Sequence, residues 1–385
     1  MKNPRTAAIR AQLGINKAAY YDATVMTNPS LMRDQGYIAE QSRRFGSVHT
    51  YEPPWKIVFR MLAAKELFKE GKLEILNTLW QFRNDVRRAY TEVVTSQETY
   101  QTLSDLADLT KQLLEVTQKR VTAGAVPALD ELKARLALSQ AEIERTRGYM
   151  NIQKAKQHLN VMLARQVAQA IEIPRLPLFS LRAEKSDMLP DFSQPVPPLS
   201  SYIEQAIENR LELRIARQQI KVTEAQLRTA YGNMIPNPSF GAGSSQAGNP
   251  PSGPKLSAFY VAVNVEMPAF NLNQGEIVRL KATINQWKLQ FQANKNVVTD
   301  DVTKAYNDLI IARERIRQYQ DHTLAESEEV ARLARRSYEV GQSDIASALL
   351  ALQANVITRS QYIQAVTDYA QAVTNLEQAV GEPLQ

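Results

Sequence analysis

Along two long stretches of this chain the apolar positions recur at alternating steps of three and four, the 3.5-residue rhythm of a left-handed coiled coil. In the first the seam runs Val86, Ala89, Val93, Ser96, Tyr100, Leu103, Ala107, Thr110, Leu114, Thr117 and Val121. In the second it runs Val302, Ala305, Leu309, Ala312, Ile316, Tyr319, Thr323, Glu326, Val330, Leu333 and Ser337. Between Leu62 and Val121 there is no proline and only Gly71 as glycine, so the pattern predicts one helix about 90 Å long at 1.5 Å per residue. Seams of Ala, Ser, Thr and Tyr suit close packing among many helices, each with contacts on two sides. An antiparallel hairpin in an ordinary bundle has the same period.

The first run stops at Ala123-Gly124-Ala125-Val126-Pro127, a glycine-then-proline break, and a return helix is predicted from about Ala128 to Arg165. The second turns at Val340-Gly341-Gln342-Ser343 and returns through Ile345, Leu349, Leu352, Val356, Ile363, Val366, Ala370 and Val373. Each run is therefore read as a long helical hairpin with a tight tip.

A different period occupies Leu256 to Glu266. Phe259, Val261, Val263 and Val265 fall on one face, and Ala258, Tyr260, Ala262 and Asn264 on the other. That alternation has the length and pattern of a membrane-spanning strand, although a small soluble hairpin alternates too. Pro238 to Gln246 is expected to pair with it across the turn Gly248-Asn249-Pro250-Pro251-Ser252-Gly253-Pro254. The equivalent region of the first half, Pro29 to Pro54, is polar (Arg33, Asp34, Arg43, Arg44, His49) and carries a poor strand pattern. Two or four strands cannot close a barrel, and an open edge is not viable in lipid, so strands that enter a membrane require an oligomer.

The halves repeat one another. Arg88-Ala89-Tyr90-Thr91-Glu92-Val93-Val94 answers Lys304-Ala305-Tyr306-Asn307-Asp308-Leu309-Ile310, Gly124 answers Gly341, and Asn28-Pro29-Ser30-Leu31 answers Asn237-Pro238-Ser239-Phe240. A period of roughly 210 residues is too long for a solenoid. Residues 1–198 are read as a first structural repeat: a helix, a β-hairpin at about 29–54, a helical hairpin at about 62–165, and a linker. Residues 199–385 are the second, with its β-hairpin at about 238–268 and helical hairpin at about 275–380. The linker, Ile171 to Ser200, has prolines at 174, 177, 190, 195, 197 and 198 and is expected to be extended. Arg10, Gln12 and Ala18 align with Arg217, Gln219 and Ala225, yet only the second copy has a helical run upstream, Leu199 to Glu208. The expectation is that further residues and an export signal precede Met1.

Composition narrows the choice of function. The 46 basic and 40 acidic residues are interspersed, which describes solvated helix faces rather than a nucleic-acid patch. With no cysteine there is neither disulfide nor thiolate metal site. No apolar run reaches the 18 residues of a transmembrane helix. His49, His158 and His322 are scattered without metal-ligand spacing, and there is no nucleotide loop or nucleophile motif. Neither an enzyme, a metal site nor a cofactor is expected.

Three segments carry a resemblance. Tyr338-Glu339-Val340-Gly341 precedes Ile345-Ala346-Ser347-Ala348-Leu349-Leu350-Ala351-Leu352-Gln353, Asn237-Pro238-Ser239 enters the second strand pair, and Met267-Pro268-Ala269-Phe270-Asn271-Leu272-Asn273-Gln274-Gly275-Glu276 forms a strand-to-helix corner. Together with the two-fold repeat they resemble the TolC-like outer-membrane efflux proteins, the corner in the form of the metal-exporting branch. The resemblance implies a mainly α protein with a small β part, whose long helical hairpins form a periplasmic α-barrel. Four strands per chain would contribute to a trimeric twelve-stranded transmembrane β-barrel. It also implies an outer-membrane location and a passive exit duct for small molecules, ions or proteins. The partners would be a periplasmic adaptor, an inner-membrane pump and outer-membrane lipid.

The same resemblance assigns residues. Tyr338 matches a tip tyrosine whose hydrogen bonds hold the aperture shut, and Asp130 a tip aspartate near the constriction. Ser347 stands at the partner position of that aspartate, and Ser343 and Leu350 replace polar positions, so closure would rest on a different set of contacts. Ala123, Gly124, Ala125, Val340, Gly341 and Gln342 occupy the places that meet the adaptor. Gly124 and Gly341 would serve equally as helix terminators, and Asp130 as a favourable charge at a helix N-terminus. The competing function is a coiled-coil adaptor or scaffold that never enters a membrane, and the strand at Leu256 to Glu266 separates the two.

Overall fold

The heptad stretches fold as long helices, and the alternating stretches as strands of one sheet. The computed structural model describes residues 4–35, 43–175, 195–247 and 256–384. The turn 248–254, linker prolines 177 and 190, and part of the segment 29–54 lie outside the described residues. In chain order the elements are α1 (Pro4–Asp22), β1 (Ser30–Gln35), β2 (Arg43–Thr50), α2 (Pro54–Thr122), α3 (Ala128–Met162), α4 (Leu199–Asn209), α5 (Leu211–Gly232), β3 (Ser239–Ala247), β4 (Leu256–Asn264), α6 (Gln274–Gln318), a π-helical turn (Tyr319–Thr323), α7 (Leu324–Glu339) and α8 (Ile345–Val380). Two compact units result, one from Ala7–Asn77 and Leu211–Lys295, the other mainly from Thr78–Arg210 and Asn296–Gln385. No helix among the described residues is long and apolar enough to cross a membrane.

The first unit holds a four-stranded antiparallel sheet in the order β1-β2-β3-β4. Its centre is the β2–β3 pairing, from Arg43↔Gln246 to Thr50↔Ser239, flanked by the two hairpins. The polar first hairpin does form. A ladder satisfies backbone groups whatever the side chains, and neither face here must be buried inside the chain. Directly paired residues share a face. One face carries Leu31, Phe45, Phe240, Phe259, Val261 and Val263, each between 47% and 79% exposed. Arg33 and His49 interrupt it, which is why the alternation is hard to read in the first half.

The opposite face is made flat by glycine. Gly46 pairs with Gly243, and Gly243 with Tyr260. A Cβ on Gly243 would lie 2.2 Å from the Phe45 carbonyl oxygen, and one on Gly46 would lie 2.6 Å from the Tyr260 hydroxyl. Tyr260 therefore lies across two bare backbones, the arrangement by which an aromatic compensates for missing side chains.

In the second unit the predicted α2 seam is covered: Ala89, Val93, Ala107, Thr110 and Thr117 are buried. A second buried face escaped the heptad reading because it is polar: Asn84, Thr91, Thr95, Glu98 and Thr102. Its threonines donate to carbonyls one turn back, Thr91 to Arg87 at 3.0 Å, Thr95 to Thr91 at 3.0 Å and Thr102 to Glu98 at 3.1 Å. No hydroxyl donor is left unsatisfied by that burial. Residues 164–175 fold onto this unit. Ile171 and Ile173 pack beside Ala89, Val93, Ala155 and Leu159, Gln97 donates to the Ile173 carbonyl at 3.1 Å, and Arg175 forks onto Glu98 at 2.5 and 3.3 Å.

The second heptad seam needs a correction. It is buried from Val302 through Ile316, but Val330 and Leu333 are exposed, while Ala331 and Tyr338 are buried. The cause is the π turn, in which the Leu324 N–H bonds the Tyr319 carbonyl five residues back. Its one extra residue advances everything downstream by about 100°. The buried line becomes Leu324, Ser327, Ala331, Ala334 and Tyr338, all half-buried or buried.

Candidate functional site

The two helical tips are built alike. At the end of α2 the Gly124 N–H bonds the Val121 carbonyl at 2.9 Å and the Ala125 N–H bonds that of Arg120 at 2.8 Å. At the end of α7 the Gly341 N–H bonds Tyr338 at 3.0 Å and the Gln342 N–H bonds Ser337 at 2.8 Å. This bond pair is a Schellman motif, and it needs a left-handed residue after the last helical turn. Gly124 (φ 72°) and Gly341 (φ 84°) supply it. Ala123, Gly124, Ala125, Val340, Gly341 and Gln342 are all exposed.

The tips differ in what lies beside them. Nothing is within 4 Å of a Cβ built on Gly124, whereas one on Gly341 would sit 3.4 Å from Arg120 Nη2. Each glycine-to-alanine change is expected to cost roughly 1–2 kcal/mol of left-handed strain. The two variants should lose about equally in thermal denaturation, because 3.4 Å to the flexible end of Arg120 is an ordinary van der Waals contact. A clearly larger loss for Gly341→Ala would show that Arg120 is held rigidly in place.

Tyr338 is fully buried, among Leu113, Ala134, Ala331, Ile345, Ala348 and Leu352. Its hydroxyl lies 2.9 Å from Thr117 Oγ1. Thr117 already gives its single proton to the Leu113 carbonyl at 2.7 Å, so Tyr338 is the donor. Arg120 Nη1 donates to the Tyr338 carbonyl at 2.5 Å, and its guanidinium carbon lies 4.7 Å from the centre of the Tyr338 ring. One α7 residue is thus joined to α2 through its hydroxyl, ring face and carbonyl.

Asp130 is not among the polar partners of Tyr338. It sits in the first turn of α3 with Glu131, and Lys133 Nζ lies 3.3 Å from Asp130 Oδ1. Ser347 bonds Asp344, the N-cap of α8, through its N–H at 3.2 Å and through its hydroxyl. The Asp344 carboxyl is held below the ordinary carboxylate range, first by the Ser347 hydroxyl, with Lys133 adding attraction. Lys133 therefore lies near the carboxylates that begin both return helices. Ser343 Oγ is buried without a hydrogen-bond partner. Sequence reasoning singled out Tyr338 and did not anticipate the contacts of Arg120, Thr117, Lys133 and Asp344. The signals available were a basic last turn on α2 and an aspartate three residues before a serine at a helix start.

Among the described residues no group of three or more His, Cys, Asp or Glu could hold a metal ion. His158 approaches Glu92 at 3.4 Å as an exposed pair.

Residues 202–382 match the family described as outer membrane efflux protein. The chain is 21% identical over 367 residues to the cobalt-zinc-cadmium resistance protein CzcC of Cupriavidus metallidurans, covering 94% of this chain and 82% of that protein. Its fold is similar to that of the outer-membrane channel OprN, with a TM-score of 0.76, 15% identity and coverage of 98% and 87% of the two chains. It is also similar to the outer membrane protein VceC from Vibrio cholerae, with a TM-score of 0.72, 13% identity and coverage of 100% and 94%.

Proposed function

We propose that this protein is a TolC-like outer-membrane efflux protein serving as the passive exit duct of a tripartite efflux system, a reading supported by the match of residues 202–382 to the outer membrane efflux protein family and by a fold like that of outer-membrane channels. It is not an enzyme. The observation that carries the proposal is the sheet: six large apolar side chains stand exposed on one face, and β1 and β4 are both edge strands. In lipid such edges must be paired. Three copies pairing β4 of one with β1 of the next make twelve strands, with the apolar face outward and the glycine-lined face toward a lumen. The two structural repeats would then act as six similar units around one pore.

The long helices would form the periplasmic tunnel. Leu129, Leu132, Leu136, Ile143 and Met150 of α3 are exposed at heptad spacing, and this stripe is read as a contact with a neighbouring copy. The tips Ala123-Gly124-Ala125 and Val340-Gly341-Gln342 would meet the periplasmic adaptor, through which the inner-membrane pump delivers its cargo. Tyr338, held by Thr117 and Arg120, would be one aperture contact, and Asp130, Ser343 and Ser347 would supply separate ones. The similarity to a cobalt-zinc-cadmium resistance protein favours divalent metal ions as cargo, conducted without a resident site.

The test is Val261→Arg on the apolar face beside Ala262→Ser on the other. An arginine at mid-membrane costs about 2–4 kcal/mol, counted three times in a trimer. The arginine variant is expected to lose both outer-membrane fractionation and the heat-sensitive trimer, and the serine variant to keep them. A trimeric, membrane-fractionating V261R protein would refute the lipid-facing assignment.

A further inference from the structure

The α7 helix carries two apolar stripes one residue out of phase. The stripe turned inward is Leu324, Ala331 and Tyr338; the other, Val330, Leu333 and Val340, is between 51% and 62% exposed. The exposed one continues the α6 seam. From Val302, Ala305, Leu309, Ala312 and Ile316, unbroken heptad steps lead through 319, 323, 326, 330, 333 and 337. Only the π turn Tyr319–Thr323 diverts the chain to the other stripe.

We propose that this π turn is a phase switch: when it converts to regular α-helix, α7 turns by about 100° and exchanges the Ala331–Tyr338 stripe for the Val330–Leu333 stripe. Such turns are rare, and straightening one restores the better i→i+4 geometry. The observed phase is held from two sides. On α8, Gln361 Oε1 accepts from the Tyr319 hydroxyl at 3.3 Å and the Tyr362 hydroxyl accepts from Gln320 Nε2 at 2.9 Å. Nearer the tip, Asn355 Nδ2 donates to Ser327 Oγ at 3.1 Å, and Tyr338 meets Thr117 and Arg120. A turn of 100° withdraws Tyr338 from both α2 partners together. What the switch would do, release the aperture, rests on the exit-duct reading; the two phases of α7 do not.

The chain has no cysteine, so introduced pairs report cleanly in the full-length protein. Ser327→Cys with Asn355→Cys reports the observed phase, Glu326→Cys with Asn355→Cys the other, and Glu328→Cys with Asn355→Cys is the control. The 327 pair should cross-link strongly in the otherwise unaltered protein and the 326 pair weakly but above control. Tyr338→Phe should raise the 326 signal about fivefold, the factor to which one lost hydrogen bond corresponds. Deleting the exposed Asp321 removes the extra residue and makes the helix continuous in the observed phase. It should therefore keep the 327 cross-link and abolish the 326 one.

Should the deletion fail to fold, Gln320→Ala with Tyr362→Phe releases the hold from α8 and should raise the 326 signal instead. The proposal is overturned if the 326 pair never exceeds the control in the Tyr338→Phe and Gln320→Ala/Tyr362→Phe backgrounds. Because cross-linking needs no conduction, a switching protein absent from outer membranes would sink the duct reading alone, and a membrane trimer with one phase would sink the switch alone.

Discussion

Tyr338→Ala is expected to destabilise the helical unit by about 3–5 kcal/mol, the usual cost of truncating a large buried aromatic side chain, and to raise basal conductance in planar bilayers. The cost is large because six residues from four helices close around this ring, leaving little room for the cavity to collapse. Tyr338→Phe keeps the ring and loses only the hydroxyl bond to Thr117, so about 1 kcal/mol is expected, with a smaller gain in leak. Arg120→Ala removes both the bond to the Tyr338 carbonyl and the contact with the ring face. Arg120→Lys should not restore them, since an ammonium has neither the planar fork nor the stacking face. Combining Arg120→Ala with Tyr338→Phe in a double-mutant cycle should give a non-additive loss, because the two changes act on one cluster. Wild-type conductance from Tyr338→Ala would refute the proposed role of Tyr338 in holding the aperture.

Arg175→Ala is expected to cost about 3 kcal/mol, because it strips the counter-ion from a buried carboxylate. The Glu98 side chain is fully buried, while that of Arg175 is half exposed. Loss of Arg175 therefore strands a charge in the interior, whereas loss of Glu98 leaves a cation that water can reach. Glu98→Gln should be milder for that reason. The Arg175 pKa is raised, first by its hydrogen bond to Glu98, which is the same coupling seen from the other partner. Replacing both residues by methionine should come close to wild-type stability, since well-packed apolar residues often replace a buried ion pair without loss. Chemical denaturation of the four proteins decides it; an Arg175→Ala protein within about 0.5 kcal/mol of wild type would mean that water reaches Glu98.

Much of this architecture was legible because its periods are long and its breaks sharp. Gly124 and Gly341 ended helices where the heptads stopped, and β3 and β4 pair in the stretch where alternation is cleanest. Three things were hidden for physical reasons. The first hairpin pairs through its backbone, so Arg33, Arg43, Arg44 and His49 did not prevent strands but did erase their pattern. The threonines on the polar face of α2 turn their hydroxyls back onto their own helix, and no hydropathy rhythm records that. The π turn leaves no mark in composition, and a one-residue insertion moved the predicted contacts from Val330 and Leu333 to Ala331 and Tyr338. At the tip, the tyrosine was readable from its motif. Its partners Thr117 and Arg120 were not, because they lie on a helix more than two hundred residues earlier.

The central β2–β3 pairing sets a timetable for the chain as it is made. β2 ends at Thr50 and its partner β3 begins at Ser239, so the first hairpin must wait through the synthesis of α2, α3, α4 and α5 before its inner edge is covered. A lone hairpin is marginal in water, and non-local pairings of this kind are slow to form. During that interval the exposed edge of β2 is open to pairing with any other nascent copy. A stalled or truncated chain ending before β3 would therefore keep that edge uncovered and open to pairing with another copy.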